Sequence, residues 1–337
     1  MQRYEWNNPE VFCAAHGGFQ DLNPSEIHKF REGHAISVSA ASSEFHKPAR
    51  TARKPGTLML VAPSVAVLLL WMIVPLVMTL WFSLQYYNLL NPTGEGFAGL
   101  DNYRYLVTDP DFWVSLANTL ILLASVLIIT TVFGTLLAVL YDQPFPGRNV
   151  ARLLVIAPFF VMPTVSALVW KNLMMHPIYG VLGFLARAMG LEPVDWFAEY
   201  PMASVIVILS WEWLPFALLI LLTAVQSLDH EQREAARMDG AGPVAQFFYI
   251  TLPHLGRAIS VVVMIETIFL LTVFAEIFVT TSGGPGNATT NLAFLIYARA
   301  LIQFDVGGAS AGGVVAILLA NIVAFFLVRT IARRLEV

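Results

Sequence analysis

The amino-acid sequence is poor in charged residues. Asp, Glu, Lys and Arg make up 12% of its 337 residues, and hydrophobic residues make up 57%. Soluble globular chains carry roughly 25% charged residues, so the composition indicates a protein whose solvent is largely lipid. Cysteine occurs once, as Cys13, which excludes an internal disulfide framework.

Signatures of nucleotide and metal chemistry are also missing. No Gly-Lys pair occurs, so the chain has no G-x-x-x-x-G-K-[ST] phosphate-binding loop, and the metal signature HExxH is absent. The run Gly283-Gly284-Pro285-Gly286 follows no predicted strand and indicates a turn rather than a phosphate cradle. We therefore expect no catalytic residues, no metal, no cofactor bound by this chain and no nucleic-acid partner.

Long apolar runs dominate the rest of the chain. A membrane span needs about 20 apolar residues, and six segments meet that length: 58–84, 118–140, 150–172, 202–226, 258–280 and 310–329. Their apolar character runs round the whole helix, which argues against a soluble helical core. The sequence predicts an all-α integral membrane protein with six transmembrane helices over 58–337, after a polar, disordered tail over 1–57.

Basic residues are concentrated at one set of span ends, called the basic side below. They are Lys47, Arg50, Arg53, Lys54, Arg148, Arg152, Arg233, Arg237, Arg257, Arg329, Arg333 and Arg334. The opposite side has Arg104, Arg187 and Arg299, with Lys171 at the border. Basic loops stay in the cytoplasm, so we expect both termini there and the loops 85–117, 173–201 and 281–309 outside.

One stretch on the basic side, EAARMDGAGPVAQFFYITLP over 234–253, has the signals of two short helices. Asp229 predicts a helix N-cap, with Gln232 at the capping-box spacing. Gly240 stands where a glycine would end the first helix in a left-handed turn. Pro243 suits the first turn of the second helix, which we expect to stop at Pro253.

The spacing EAA, three residues, Gly, nine residues, Ile-x-Leu-Pro resembles the EAA loop of permease subunits of ATP-binding-cassette (ABC) importers. The stretches SLQYYNLLNP, GLDNYRYL and DPDFW, and TSGGPGNATTNLAFLIYARA before QFDVGGASAGG, resemble carbohydrate permeases of the maltose type. Among these, FAEIFVTTSGGPGNATTNLAFLIYARALIQFDVG is most similar to sorbitol and mannitol permeases. The resemblance covers about 58–337, and the extra leading helices and external domain of the maltose subunit are absent.

The resemblance implies the MetI-like fold of a type I ABC importer permease in a bacterial inner membrane. Such a subunit forms half of a translocation pathway, here for a polyol, and contacts membrane lipid, a second homologous permease and a periplasmic solute-binding protein. In the family, the first short helix of a coupling loop (about 227–257 here) docks on a separate ATPase subunit, which uses ATP and Mg²⁺. The implied coupling residues are Glu234, Ala235, Ala236, Asp239, Gly240, Ile250, Leu252 and Pro253.

Polar and aromatic residues inside the predicted spans are candidates for the substrate pathway. A polyol offers only hydroxyl groups, so it needs donors, acceptors and aromatic faces. Ionisable residues inside a membrane are costly and are functional candidates by default. Hydrogen bonding between helices is an equal alternative for Glu276 and Asn321, and packing is the favoured alternative for Trp211 and Trp213. The candidates are Glu212, Trp211, Glu276 and Asn321, and Glu266 and Trp213 are further residues of the same kind.

Two other functions stay open. A secondary transporter driven by an ion gradient would be built from inverted repeats with ionisable residues at broken helices, and the EAA spacing argues against it. An ABC permease for another sugar, such as a disaccharide or glycerol phosphate, fits the same motifs.

Overall fold

The computed structural model describes residues 55–91, 94 and 96–335. The predicted tail, 1–57, lies outside the described residues except for its last three positions, and it stays a prediction. The chain divides into two units, Met1–Leu69 and Leu70–Val337. The described part of the first unit is the beginning of one helix, and the second unit contains the rest of that helix and all the other elements.

Helices make up most of the described chain. They are α1 (Pro55–Ser83), α2 (Asp101–Thr108), α3 (Pro110–Asp142), α4 (Arg148–Ile156), α5 (Pro163–Leu168), α6 (Val181–Ala188), α7 (Trp196–Glu199), α8 (Pro201–Gln226), α9 (His230–Met238), α10 (Pro243–Gln246), α11 (Leu252–Leu270), α12 (Ala275–Thr280), α13 (Leu292–Tyr297) and α14 (Val306–Leu335). A short antiparallel pair, β1 (Gln85–Tyr86) and β2 (Gly96–Phe97), is the one sheet in the described residues. Wider π-helical turns cover Val169–Met174, Phe247–Thr251 and Ala298–Ile302, and a 3-10 turn covers Ala157–Phe160.

Five helical stretches in the described chain are long and apolar enough to cross a membrane. They are Val61–Ser83, Pro110–Asp142, Pro201–Gln226, Pro243–Leu270 and Val306–Phe326. The predicted third span, 150–172, is instead a broken pair, Arg148–Phe160 and Pro163–Met174, bent by 103°. Proline has no N–H and forces the preceding residue out of helical geometry, and Met162, before Pro163, is extended with ψ 139°. The predicted third span is therefore a bent helix pair and not one continuous helix.

The fifth span also differs from the prediction. Its helix ends at Leu270, before the predicted boundary of 280, and Glu276 lies in the separate short helix α12. The buried side chain of Asn291 donates a hydrogen bond to the carbonyl of Val273, 2.6 Å away, in the break between the two helices. The Asn291 amide therefore replaces the backbone N–H that would bond to the Val273 carbonyl if the helix continued.

At its other end the same span begins earlier than predicted. Helix α10, the π turn and α11 form one 28-residue stretch, Pro243–Leu270, so the second short helix does not stop at Pro253. A proline ring collides with the carbonyl four residues before it in a regular α-helix. The wider turn at Phe247–Thr251 contains Tyr249, four residues before Pro253, so it relieves that collision and lets the helix continue.

Helices α3 and α8 form the centre of the fold. A Cβ added at Gly134 of α3 would lie 3.0 Å from the Cβ of Ala217 in α8, so the two backbones approach closely there. One buried cluster groups α3, α8, α12 and α13 around Val126, Leu209 and Ile277. A second joins the basic-side ends of α3, α8 and α11, where Ala138, Tyr141, Leu221, Val225 and Leu255 pack together.

The predicted outer loops meet at the opposite end of α3. The side chain of Asn118 donates to the carbonyls of Asn287 and Thr290, at 2.8 and 3.0 Å. Asn287 in turn donates to a carboxylate oxygen of Asp111 at 2.7 Å. The loop after α12 is therefore fixed to the start of α3 by side chains that are far apart in the sequence.

Candidate functional site

Helix α9 begins where the sequence predicted. A side-chain oxygen of Asp229 accepts a hydrogen bond from the N–H of Glu231 at 3.2 Å, so Asp229 is the N-cap. The bond satisfies one of the donors that a helix start leaves unpaired. The capped residue is Glu231 rather than Gln232, so this is a simple cap and not the predicted capping box.

Helix α9 ends in the predicted left-handed turn at Gly240. The φ angle of Gly240 is +79°. Its N–H donates to the carbonyl of Arg237 at 3.0 Å, and the N–H of Ala241 donates to that of Ala236 at 2.9 Å, which is a Schellman motif. A Cβ added at Gly240 meets no atom within 4 Å, so the backbone conformation, and not lack of space, favours glycine.

The predicted coupling residues divide into two groups in the structure. Those in and just after α9 lie together on its surface: Glu234, Ala235, Asp239 and Gly240 are exposed, and Ala236 is half-buried. The others lie in the helix that leads into the membrane. There Ile250 and Leu252 are half-buried and Pro253 is exposed, so they do not share the surface of α9.

Large apolar side chains are exposed on α9 and on the helix that follows it; the sequence predicts that the second helix presents Phe248, but Met238, Val244 and Tyr249 were missed. Met238 is 88% exposed and Tyr249 is 82% exposed, with Val244 and Phe248 also exposed. An exposed apolar group at the polar end of the spans is a typical feature of a protein-contact surface. The available signal was a methionine in the otherwise polar run HEQREAARM.

Arg233 is the second feature that sequence reasoning missed. In the sequence it is one of the basic-side charges, and in the structure its guanidinium pairs with the carboxylate of Asp142 at 2.6 Å. A cavity of about 440 Å³ lies beside this pair, lined also by Gln246, Phe247 and Ile250. The root of the coupling loop is therefore polar, and in part unfilled.

The predicted pathway carboxylates lie inside the chain's own interior. Glu212 in α8 and Glu276 in α12 are both buried. The Oε2 atom of Glu212 has no hydrogen-bond partner among the described residues. Glu266 is fully buried, and its Oε2 accepts a hydrogen bond from Thr130 at 2.7 Å, which joins α3 to α11.

The other two pathway candidates lie on different faces. Trp211 packs edge-to-face against Trp170 with ring centres 5.7 Å apart. Asn321 is exposed, donates to the carbonyl of Ile317 at 2.8 Å and lines an apolar groove of about 690 Å³ together with Ser310. The four candidates do not form one site.

Aromatic side chains from several predicted spans gather around Trp213. Trp213 lies between Phe159 and Phe269, with ring centres 6.1 and 5.2 Å away, and Phe216 completes the cluster. Phe269 is 52% exposed, so the cluster reaches the surface of the chain. It joins the third, fourth and fifth predicted spans, a proximity for which the sequence has no local signal.

The run Gly308-Ala309-Ser310-Ala311-Gly312 has the G-x-S-x-G spacing of a nucleophile elbow. That motif needs a sharp turn between a strand and a helix. Here the run lies inside the continuous helix α14, and Gly307 packs against β1, where an added Cβ would lie 2.4 Å from the carbonyl oxygen of Gln85. The geometry is that of close packing rather than of a nucleophile.

Comparisons with known proteins agree with this fold. The family described as "Binding-protein-dependent transport system inner membrane component" matches residues 131–337. A probable ABC transporter permease protein, y4oQ, of Sinorhizobium fredii is 36% identical over 251 residues, which cover 74% of this chain and 81% of that protein. The trehalose/maltose transport system permease protein MalF of Thermococcus litoralis is 32% identical over 267 residues, 79% of this chain and 88% of the relative.

Solved structures are similar at the level of the fold. A bacterial ABC transporter involved in the import of the acidic polysaccharide alginate has a TM-score of 0.70 at 22% identity, covering 82% of this chain and 95% of that chain. A bacterial alginate ABC transporter in complex with an alginate pentasaccharide-bound periplasmic protein also has a TM-score of 0.70, covering 85% of this chain and 98% of that chain. The family match, the relatives and the apolar helices agree: this chain is a multi-pass membrane protein of the binding-protein-dependent transport system inner membrane component family.

Proposed function

We propose that this chain is a permease subunit of an ABC importer and forms half of a translocation pathway for a sugar or sugar alcohol. The observation that carries the proposal is the rigid, exposed helix α9, fixed at one end by the Asp229 cap and at the other by the Gly240 turn. A helix so fixed at the foot of two spans is suited to receive force from a partner and pass it into the membrane.

The partner on the basic side is, in this proposal, a separate ATPase subunit that binds ATP and Mg²⁺. The small side chains of Ala235 and Ala236 permit close approach to it, and Glu234 and Asp239 can pair with its basic groups. Exposed Met238 adds an apolar contact. Docking on this side places both termini in the cytoplasm, in agreement with the distribution of Arg and Lys.

The remaining partners follow from the same proposal. A second, homologous permease completes the pathway, and a periplasmic solute-binding protein delivers the substrate to the outer loops. The alginate transporter of the same fold, solved with its periplasmic protein, supports this arrangement.

The substrate class is supported by the relatives. Their names refer to trehalose and maltose, to sulfoquinovosyl glycerol and to sn-glycerol-3-phosphate, all of which are rich in hydroxyl groups. Within this class we propose a polyol such as sorbitol or mannitol, and a disaccharide or glycerol phosphate is the alternative. The Trp213 cluster offers the aromatic faces on which the C–H face of such a substrate packs.

Uptake experiments in a strain lacking this gene test the proposal. Labelled sorbitol, mannitol, trehalose and maltose are supplied separately, with and without the restored gene. Arsenate, which depletes ATP, should abolish the restored uptake, whereas an uncoupler should not do so while glycolysis maintains ATP. Uptake that survives arsenate and collapses with the uncoupler would instead support the ion-gradient transporter.

A further inference from the structure

The guanidinium group of Arg233 connects α9 to two spans at once. Its Nη1 donates to the Asp142 carboxylate at 2.6 Å, and its Nη2 donates to the carbonyl of Val225 at 2.8 Å. Asp142 is the last residue of α3, and Val225 lies in the last turn of α8. The planar guanidinium holds both acceptors in a fixed relative position, which a lysine ammonium cannot do.

Water screens this ion pair only in part. The side chains of Arg233 and Asp142 are 24% and 19% exposed. A pair shielded to this degree is stronger than one on an open surface, where long side chains and full solvation leave little net gain. The ion pair can therefore transmit a movement of α9 to α3.

The position of Asp142 is unfavourable for the helix that contains it. The C-terminal end of a helix has partial negative charge, so an aspartate there is opposed by the helix dipole. Two other arginines act against this charge: Arg148 donates to the carbonyl of Asp142 and Arg152 to that of Tyr141. The negative charge of Asp142 is thus kept at the unfavourable end of α3, where its carboxylate accepts the hydrogen bond from Arg233.

Little else attaches the side chains of α9 to the spans. Within the described residues, Arg233 is the side chain of α9 that hydrogen bonds to another helix. The cavity of about 440 Å³ lies beside it, so packing does not fill this side of the loop root. Among the hydrogen bonds of the described residues, the one from Arg233 to Asp142 is therefore the side-chain link between α9 and α3.

We propose that Arg233 is a positioning residue that makes α9 move as one unit with the ends of α3 and α8. The inference rests on the proposed function, in which α9 receives the movement of the ATPase. While the Arg233 hydrogen bonds are intact, the packed α3–α8 pair resists movement of α9, and closure of the ATPase is opposed until the spans rearrange. Without these bonds, α9 pivots about its two ends and ATP hydrolysis proceeds without the spans.

The test uses the purified complex of this chain with its partner permease and ATPase, reconstituted in lipid nanodiscs without binding protein. The probe is ATP with Mg²⁺, so no knowledge of the transported substrate is needed. We expect Arg233→Gln to raise the unstimulated rate of ATP hydrolysis by about tenfold, the effect of losing hydrogen bonds to a charged partner. Arg233→Lys, which keeps the charge and loses the fork, should give an intermediate rate.

A charge exchange separates positioning from a general loss of structure. Arg233→Asp combined with Asp142→Arg should return hydrolysis toward the low wild-type rate, whereas each single change should raise it. Arg329→Gln is the matched control: Arg329 lies on the basic side but outside the coupling loop, is exposed and forms no ion pair with the described residues, so its loss should leave the rate unchanged.

The outcomes distinguish this inference from the proposed function. An unchanged hydrolysis rate in Arg233→Gln, or no recovery in the exchanged pair, would overturn the positioning role and leave the ABC permease proposal intact. Loss of the ATPase from the purified Arg233→Gln complex would also overturn it, because Arg233 would then serve docking itself. Failure of the wild-type chain to co-purify with any ATPase would overturn both.

Discussion

At the scale of single residues, Gly240 shows how a local rule can be applied before the fold is known. A glycine after a run of helix formers predicts a left-handed C-terminal turn, and the turn depends on backbone conformation alone. The structure has this turn, with φ at +79° and open space around the α-carbon. By contrast, the pairing of Arg233 with Asp142, 91 residues away, has no local signal.

Substitution of Gly240 should affect coupling according to backbone preference rather than side-chain size. Valine in the left-handed region costs at least roughly 1–2 kcal/mol, and its branched Cβ makes it poorly suited there. Asparagine visits that region readily and is about as bulky. We expect Gly240→Val to hydrolyse ATP with little uptake, and Gly240→Asn to retain most coupling, measured as uptake per ATP hydrolysed. Full uptake in Gly240→Val would contradict the docking geometry.

The buried hydrogen bond from Thr130 to Glu266 allows a second test at this scale. Thr130→Val removes the donor and leaves the carboxylate, whose Oε1 already lacks a partner among the described residues, without its bond. The expected loss of stability is about 1–3 kcal/mol. The adjacent Thr131 has a buried hydroxyl with no described partner, so Thr131→Val is a matched control that should be neutral or stabilising.

Thermal unfolding of the two valine variants in detergent measures the difference. Equal unfolding temperatures for Thr130→Val and Thr131→Val would show that the hydrogen bond between α3 and α11 contributes nothing. Burial of Glu266 would then need another explanation, such as a part in transport.

At the scale of elements, apolar runs predicted where the spans lie but not where they break. Pro158 and Pro163 both lie inside the predicted third span, and their missing N–H groups explain its 103° bend. Averaging hydropathy over 20 residues hides such breaks, because the residues on either side are equally apolar. The end of the fifth span at Leu270 was less predictable still. It depends on a hydrogen bond to Val273 from Asn291, which lies 18 residues further along the chain.

Asn291 should be the most sensitive residue of that outer element. Its side chain donates to Val273 at 2.6 Å and also accepts from the N–H of Phe294 at 2.9 Å, as the N-cap of α13. Asn291→Ala removes both bonds in a buried site and should cost about 2–4 kcal/mol. Asn321→Ala, which removes one exposed bond to its own turn, is the control and should cost little.

Stability of the two alanine variants, followed by their unfolding temperatures, decides between these expectations. Similar small shifts would mean that the break after Leu270 forms without Asn291. A reduced uptake in Asn321→Ala with unchanged stability would add support for Asn321 as a pathway residue.

At the scale of the whole molecule, the sequence predicted the class of protein better than its sites. Scarce charge and all-round apolar helices indicated a membrane protein, and the EAA spacing indicated the family that the comparisons confirm. The pathway candidates share only their polar or aromatic character inside predicted spans, and the structure does not bring all four into one site. Which faces meet a substrate depends on the helix arrangement, and single-residue patterns do not contain that information.

Crosslinking at Ala235 tests the central claim, that α9 receives the movement of an ATPase. Because Cys13 is the single cysteine, Cys13→Ser gives a background in which Ala235→Cys is the sole thiol. Leu100→Cys, 72% exposed in the predicted outer loop, is the control. In the assembled, active complex, a short crosslinker at position 235 should capture the ATPase subunit and one at position 100 should not. Absence of that product at position 235 in a complex that hydrolyses ATP and transports would contradict the account.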